Sequence, residues 1–290
     1  MMADSSASFN APANGSEARG DAYRYVWSHG DKVDGLERAL LCVHGITRNR
    51  HDFSFVANRL APQFDVHAVD LLGHGDSDSL NGAPYTREIF LAQLQHLMAL
   101  IGRRKIGFLG SSYGGLMGIR LAAMEDSPIG CLVLNDASAA LQGDFFRQTA
   151  RRISFRPVLP SLQSAEGWMR LVFRNSGPLT DDVFRDLALR GTRRLPQGGY
   201  ELTYDPQIAG LWIGNQLTET EHWTPWRRIR CPVLVVRGKK SSVLTDEGLE
   251  AMRVANPAID VIEIDGVGHF PHLMSDQQAD PVRRWLLEHL

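Results

Sequence analysis

Lys105-Ile106-Gly107-Phe108-Leu109 runs directly into Gly110-Ser111-Ser112-Tyr113-Gly114, and a helix-like stretch, Leu116 to Met124, leaves it. The order reads as strand, sharp turn, helix. In a G-x-S-x-G turn of this kind the central serine is held in a strained backbone conformation. Its neighbours must be small, because the returning helix packs closely behind the strand. The pattern predicts that Ser112 stands exposed above a sheet, where its hydroxyl can act as a nucleophile. An ordinary Gly/Ser turn has the same five-residue pattern, so the rest of the chain must supply the partners.

Outward from this turn, short apolar runs at Ala39–Val43, Val66–Leu72, Ile106–Leu109, Cys131–Leu134, Val233–Val236 and Val261–Ile264 read as buried strands. They are continuous rather than alternating, as parallel strands covered on both faces require. Helix-like stretches lie at Phe53–Leu60, Arg87–Ile101, Leu116–Met124, Thr245–Val254 and Asp280–Leu290. This alternation predicts an α/β class with a mostly parallel, doubly wound sheet. The pattern lapses between about Ala139 and Trp226, where arginines, aromatics and short helical pieces replace it. The expected organisation is a core over 22–138 and 227–290 carrying a mostly helical cap over 139–226. Residues 1–21 are rich in Ala, Ser, Asn and Gly without a hydrophobic block, and read as a flexible leader rather than a secretory signal.

With 290 residues, 43% of them hydrophobic and 22% charged, the chain can bury a full core. A net charge of −2, with acids and bases interspersed, gives no field for holding nucleic acid. No apolar run approaches the roughly 20 residues needed to span a bilayer. Cys42, Cys131 and Cys231 are odd in number, widely spaced and set in or beside apolar runs. That argues for small buried thiols in a reducing cytoplasm, and against a disulfide framework or a metal site.

A serine hydroxyl is a weak nucleophile and needs a base, with a carboxylate to orient and support that base. Gly266-Val267-Gly268-His269 follows the last predicted strand, and its glycines allow a tight loop that swings His269 back over the sheet edge; His272 in the same loop is the rival. The oxyanion of acyl transfer needs two preorganised N–H donors, and the amide after the nucleophile, Tyr113, is the first. Leu41-Cys42-Val43-His44-Gly45-Ile46 ends an early strand and places the Ile46 amide as the second, with His44 bracing the loop by hydrogen bonding. Gly73-His74-Gly75-Asp76-Ser77-Asp78 lacks both G-x-G-x-x-G and a P-loop lysine, and reads as a structural turn.

His-Gly, the G-x-S-x-G elbow and a terminal G-x-G-H, in this order and spacing from about Tyr23 to the C-terminus, resemble the α/β-hydrolase superfamily. More narrowly, Gly45-Ile46-Thr47-Arg48-Asn49, Leu134-Asn135-Asp136 and Gly266-Val267-Gly268-His269-Phe270-Pro271-His272-Leu273 are similar to a group of bacterial esterase-like α/β hydrolases. The resemblance implies the α/β-hydrolase fold with a cap. It also implies a serine hydrolase that cleaves small or medium carboxylic esters through an acyl-enzyme. Its partner is then a small-molecule ester, and no metal, organic cofactor, nucleic acid or membrane is implied. A carbon–carbon bond hydrolase of the ring-cleavage type shares this fold and catalytic set, and a catalytically weak binding protein on the same fold is a further alternative.

That last alternative arises from the acid. In most of the superfamily the carboxylate sits about three residues past the glycine of Arg237-Gly238, where this chain has Lys239-Lys240-Ser241-Ser242, with Ser242 in the place of an expected aspartate. The resemblance offers Asp136, ending the strand after the nucleophile's helix, as the substitute. Asp246 is the second choice, although Thr245-Asp246-Glu247 also reads as an N-cap and first turn. The cap segment holds Phe145, Phe146, Trp168, Met169, Phe173, Phe184, Trp212, Trp223 and Trp226, enough apolar area to roof a pocket over Ser112. Among them stand Arg147, Arg151, Arg152, Arg156, Arg190, Arg193 and Arg194; one or two of these in a pocket would favour a substrate bearing a carboxylate, and a solvated helix face is the other reading.

Overall fold

Each continuous apolar run becomes a strand, and all but the edge strand formed by Val261–Ile264 feed alternate side chains to two buried faces. The computed structural model describes residues 15–19, 23–29, 37–141, 143–212 and 220–290. It begins with β1 (Gly15–Arg19), β2 (Arg24–His29), β3 (Ala39–Val43), α1 (Ser54–Leu60), β4 (Asp65–Val69), α2 (Arg87–Ile101), β5 (Ile106–Ser111), α3 (Tyr113–Ala122) and β6 (Ile129–Asn135). The chain then leaves the sheet through α4 (Gly143–Ser154), α5 (Leu162–Val172), α6 (Asp181–Gly191), the hairpin β7 (Thr192–Arg194) and β8 (Tyr200–Leu202), and α7 (Thr220–Arg228). It returns as β9 (Val233–Gly238), α8 (Asp246–Ala255), β10 (Ile259–Ile264) and α9 (Asp276–His289).

Among the described residues one sheet has the order β1-β2-β4-β3-β5-β6-β9-β10. From β4 to β10 all neighbours run parallel, and the β1–β2 edge is antiparallel. Leu41 and Val43 of β3, Leu132 and Leu134 of β6, and Val233 and Val235 of β9 enter one core, which continues into the cap. Leu40, Cys42, Cys131, Val133, Leu234 and Val236 enter the other, against α1 and α9. Strand order reverses between β3 and β5, and such a switch point leaves a crevice outside the carboxyl ends of the strands.

Several expectations need correction. Gly15–Arg19, inside the stretch read as leader, pair with β2, whereas residues 1–14 and 20–21 lie outside the described residues. β4 stops at Val69 rather than Leu72, because Asp70 turns away to accept N–H bonds from Arg50 at 2.7 Å and Asp76 at 3.0 Å. α9 starts a turn before Pro281, where Gln278 is buried and accepts the Leu273 N–H at 3.0 Å. Within the cap segment, residues 142 and 213–219 and the side chains of Phe145 and Phe146 lie outside the description.

Candidate active site

The elbow is built by steric exclusion. A Cβ on Gly110 would lie 2.5 Å from the Gly114 backbone, and one on Gly114 would collide with the Val43 carbonyl, so only glycine lets α3 return against β5 and β3. Ser112 between them has φ +49° and ψ −111°, a conformation that L residues adopt only under strain. Its neighbour Ser111 is buried and accepts the Asn135 side-chain N–H at 3.0 Å, which leaves Ser112 as the serine that faces the crevice. Tyr113 is the first residue of α3, so its N–H has no acceptor within the helix. A Cβ on Gly45 would stand 3.5 Å from the Ser112 Cβ, which brings the Gly45–Ile46 segment alongside the serine.

His269 arrives from the loop after β10, tied on three sides. Lys240 N–H donates to the Val267 carbonyl at 2.8 Å, Gly268 N–H to the Asn175 carbonyl of the cap at 2.6 Å, and the Asn135 side chain to the Pro271 carbonyl at 2.9 Å. His269 Nδ1 lies 2.8 Å from Asp136 Oδ2. A carboxylate only accepts, so Nδ1 carries the proton and Nε2 is free to act as a base. Asp136 is fully buried at φ +52°. Its Oδ2 also accepts from the Phe270 N–H at 3.0 Å and the Ser241 hydroxyl at 2.8 Å.

Ser112, Tyr113, Gly45, Ile46, Asp136 and His269 line one cavity of about 390 Å³, within the usual range for small-molecule sites. The family model described as "Alpha/beta hydrolase family" matches residues 40–284, which takes in every one of these residues. The chain is an α/β hydrolase. Among its relatives, the hydrolase is 28% identical over 253 residues to 3-hydroxybutyrate-oligomer hydrolase of Cupriavidus necator, covering 83% of this chain and 85% of that one. It is 26% identical to N-formylmaleamate deformylase of Pseudomonas putida, covering 84% and 86%. A solved protein of Rickettsia typhi superposes with a TM-score of 0.86 at 24% identity, over 95% of this chain and 98% of that one, a likeness of fold.

The remaining singled-out residues of the hydrolase are placed as follows. Asp246 does not meet His269: it lies in the first turn of α8, capped by Thr245, and pairs with Arg237 at 2.5 Å. Ser242 is exposed, and its neighbour Ser241 is the one that reaches Asp136. His272 is buried, accepts the Met274 N–H at 2.7 Å on Nδ1, and is held neutral, with burial pushing its pKa down to about 4. His44 braces its loop as expected: Nδ1 bonds the Gly45 carbonyl at 2.8 Å and Nε2 accepts the Leu71 N–H at 3.1 Å, while burial lowers its pKa to about 3. The Gly73–Asp78 turn is stitched to the chain beyond β8, with Gly75 N–H on the Thr203 carbonyl at 2.7 Å. Trp168, Phe173 and Trp212 roof the cavity, whereas Trp226 is buried under α8, bonding the Met252 carbonyl at 3.0 Å.

Sequence reasoning missed two contributors. Ser241 was passed over because position within a loop carries no periodic signal. Arg48 lies within the Gly45–Asn49 motif; it grips Asp52 with Nε at 2.9 Å and Nη2 at 2.5 Å and lies 4.7 Å from the Phe173 ring centre. Arg48 thereby joins the loop of Ile46 to α5 and the residue that ends it. An arginine four residues before a buried aspartate was the available signal.

Proposed function

We propose that this α/β hydrolase cleaves small or medium carboxylic esters through an acyl-enzyme, with Ser112 as nucleophile, His269 as general base and acid, and Asp136 as its orienting carboxylate. The bond from His269 Nδ1 to the buried Asp136 carries the reading, since it fixes the tautomer that leaves Nε2 able to take the serine proton. Ser112 Oγ attacks the ester carbonyl as His269 accepts its proton. The oxyanion forms between the Tyr113 and Ile46 amides, and His269 then protonates the departing alcohol. Water, deprotonated by the same histidine, releases the acid. The names of the relatives support the reaction class: an oligomer of a hydroxy acid is joined by ester bonds, and a deformylase also works on a carbonyl carbon. A buried carboxylate on His269 also supports an active enzyme over a weak binding protein. Three free thiols suit a reducing cytoplasm, and among the described residues no helix is long and apolar enough to cross a membrane.

A fluorophosphonate probe is expected to label Ser112, and Ser112→Ala to abolish both labelling and p-nitrophenyl ester turnover without loss of fold. His269→Ala should lower kcat severely and His272→Ala by tenfold or less. Labelling of Ser111, or full activity in Ser112→Ala, would overturn the mechanism. Turnover of a vinylogous diketone in preference to short esters would assign the site to carbon–carbon bond hydrolysis instead.

A further inference from the structure

We propose that Arg152 forms a carboxylate-binding subsite under the cap, so that the favoured esters carry a free carboxylate on the portion held there. This deepens the ester-hydrolase reading above and rests on it for the position of the scissile bond. The observation behind it is selective. Of the seven cap arginines singled out in the sequence, only Arg152 lines the cavity. Arg156 and Arg193 pair with Glu201 at 2.8 and 2.7 Å, and Arg190 pairs with Asp186 at 2.7 Å. Arg147, Arg151 and Arg194 are exposed, as Arg152 is, but lie outside the cavity wall.

Helical periodicity brings Arg152 to the edge of the cavity. Thr149, Arg152 and Ile153 occupy positions i, i+3 and i+4 of α4, hence one face, and all three border the cavity. Of the other charged groups of the wall, Asp136 holds three donors on one oxygen and Arg48 is spent on Asp52, whereas Arg174 donates only to the neutral Leu171 carbonyl, at 2.9 Å, and adds to the positive charge. Asp136 is the sole carboxylate of the wall among the described residues. Arg152 therefore brings a positive charge to the cavity without an anion to match it. Arg152 is itself exposed as well as lining the cavity, so it stands at the rim; nearby protein lowers its pKa, and a guanidinium stays charged in any case. A planar fork with no anionic partner among the described residues, beside a space of about 390 Å³, fits a substrate carboxylate by two parallel hydrogen bonds. Half-esters of small dicarboxylic acids and esters of hydroxy acids with a free acid end share that chemistry.

The test compares the mono-p-nitrophenyl ester of glutaric acid with p-nitrophenyl pentanoate, of similar length and no charge. The wild-type protein is expected to favour the charged ester in kcat/KM, and the preference should shrink as salt is raised. Arg152→Gln should cut that preference about 10- to 100-fold, and Arg152→Lys should restore part of it. An unchanged preference in Arg152→Gln, or none in the wild-type protein, overturns the subsite. Calorimetry on Ser112→Ala with monomethyl glutarate separates this from the catalytic reading. Binding that Arg152→Gln weakens at least tenfold supports the subsite even if neither ester is cleaved, and binding that it leaves intact refutes the subsite even if both are.

Discussion

The tips of β6 and β9 lie side by side in parallel register, and they bring opposite chemistry to the same atom. β6 is followed at once by Asp136, a buried charge with its N–H on the Val236 carbonyl at 2.7 Å. β9 ends in a loop whose Ser241 hydroxyl donates to that charge at 2.8 Å while accepting the Val243 and Leu244 N–H groups, both at 3.1 Å. Adjacent strands stand about 4.8 Å apart, so a carboxylate on either tip can reach one imidazole. The difference teaches that the partner of His269 is fixed by reach and not by strand. The tip without the acid keeps a supporting part, passing the polarity of its own turn to the neighbour's carboxylate.

The largest expected effect is at β6. Asp136→Asn keeps the size of the side chain and removes its charge, so kcat for a p-nitrophenyl ester should fall about 10²- to 10⁴-fold with KM little changed. Retained activity would break the comparison at its first term.

A second contrast lies within the histidines. His269 bonds a carboxylate, whereas His44, His74 and His272 are buried and held neutral, with pKa values lowered by burial to about 3, 3 and 4. In the unfolded chain each returns to about 6.5, so over the interval between, the unfolded state binds more protons. Their contribution is complete above about pH 6.5 and is lost as pH falls toward 4. At pH 5 the loss is on the order of 2 kcal/mol, or about 30-fold in the folding equilibrium, for each such histidine. Denaturant titrations at pH 7.5, 6 and 5 should show the decline, and an unchanged midpoint would refute it.

Ser241→Ala tests the β9 tip itself. Loss of one donor to a buried carboxylate should lower kcat about tenfold, leave KM nearly constant, and be repaired in part by Ser241→Thr. An effect as large as that of Asp136→Asn would mean the two tips carry equal weight. The smallest changes belong to Ser242→Asp and Asp246→Asn. One side chain is exposed and the other is bound to Arg237 in the first turn of α8, so turnover should stay within about twofold. A marked gain in Ser242→Asp would show that the β9 tip still waits for its acid.

What could be read in the sequence follows the same division. β3, β5, β6 and β9 were legible because both of their faces are buried, and the elbow because sterics leave glycine no substitute at Gly110 and Gly114. β1 and β2 were not, since Gly15–Arg19 is short and largely polar, and the apolar part of Arg24–His29 is only Tyr25-Val26-Trp27. The three-residue strands of the β7–β8 hairpin are too brief to show a period. Asp136 was within reach of the reading because it terminates an apolar run, and Ser241 was not, because only the folded loop distinguishes it from Ser242. Among the cap arginines, sequence supplied the charge, and only the phase of α4 selects Arg152.

Arg48 gives the molecule a different kind of constraint. Its guanidinium is clamped to Asp52 beneath and lies against Phe173 above, two residues beyond the Ile46 amide. Caps tend to vary as surface insertions do, yet here the roof and the loop of Ile46 share one rivet. Selection on the cap for a new substrate is therefore also selection on the alignment of the Ile46 loop beside Ser112. A descendant that remodels the end of α5 inherits the need to find Arg48 another place to rest.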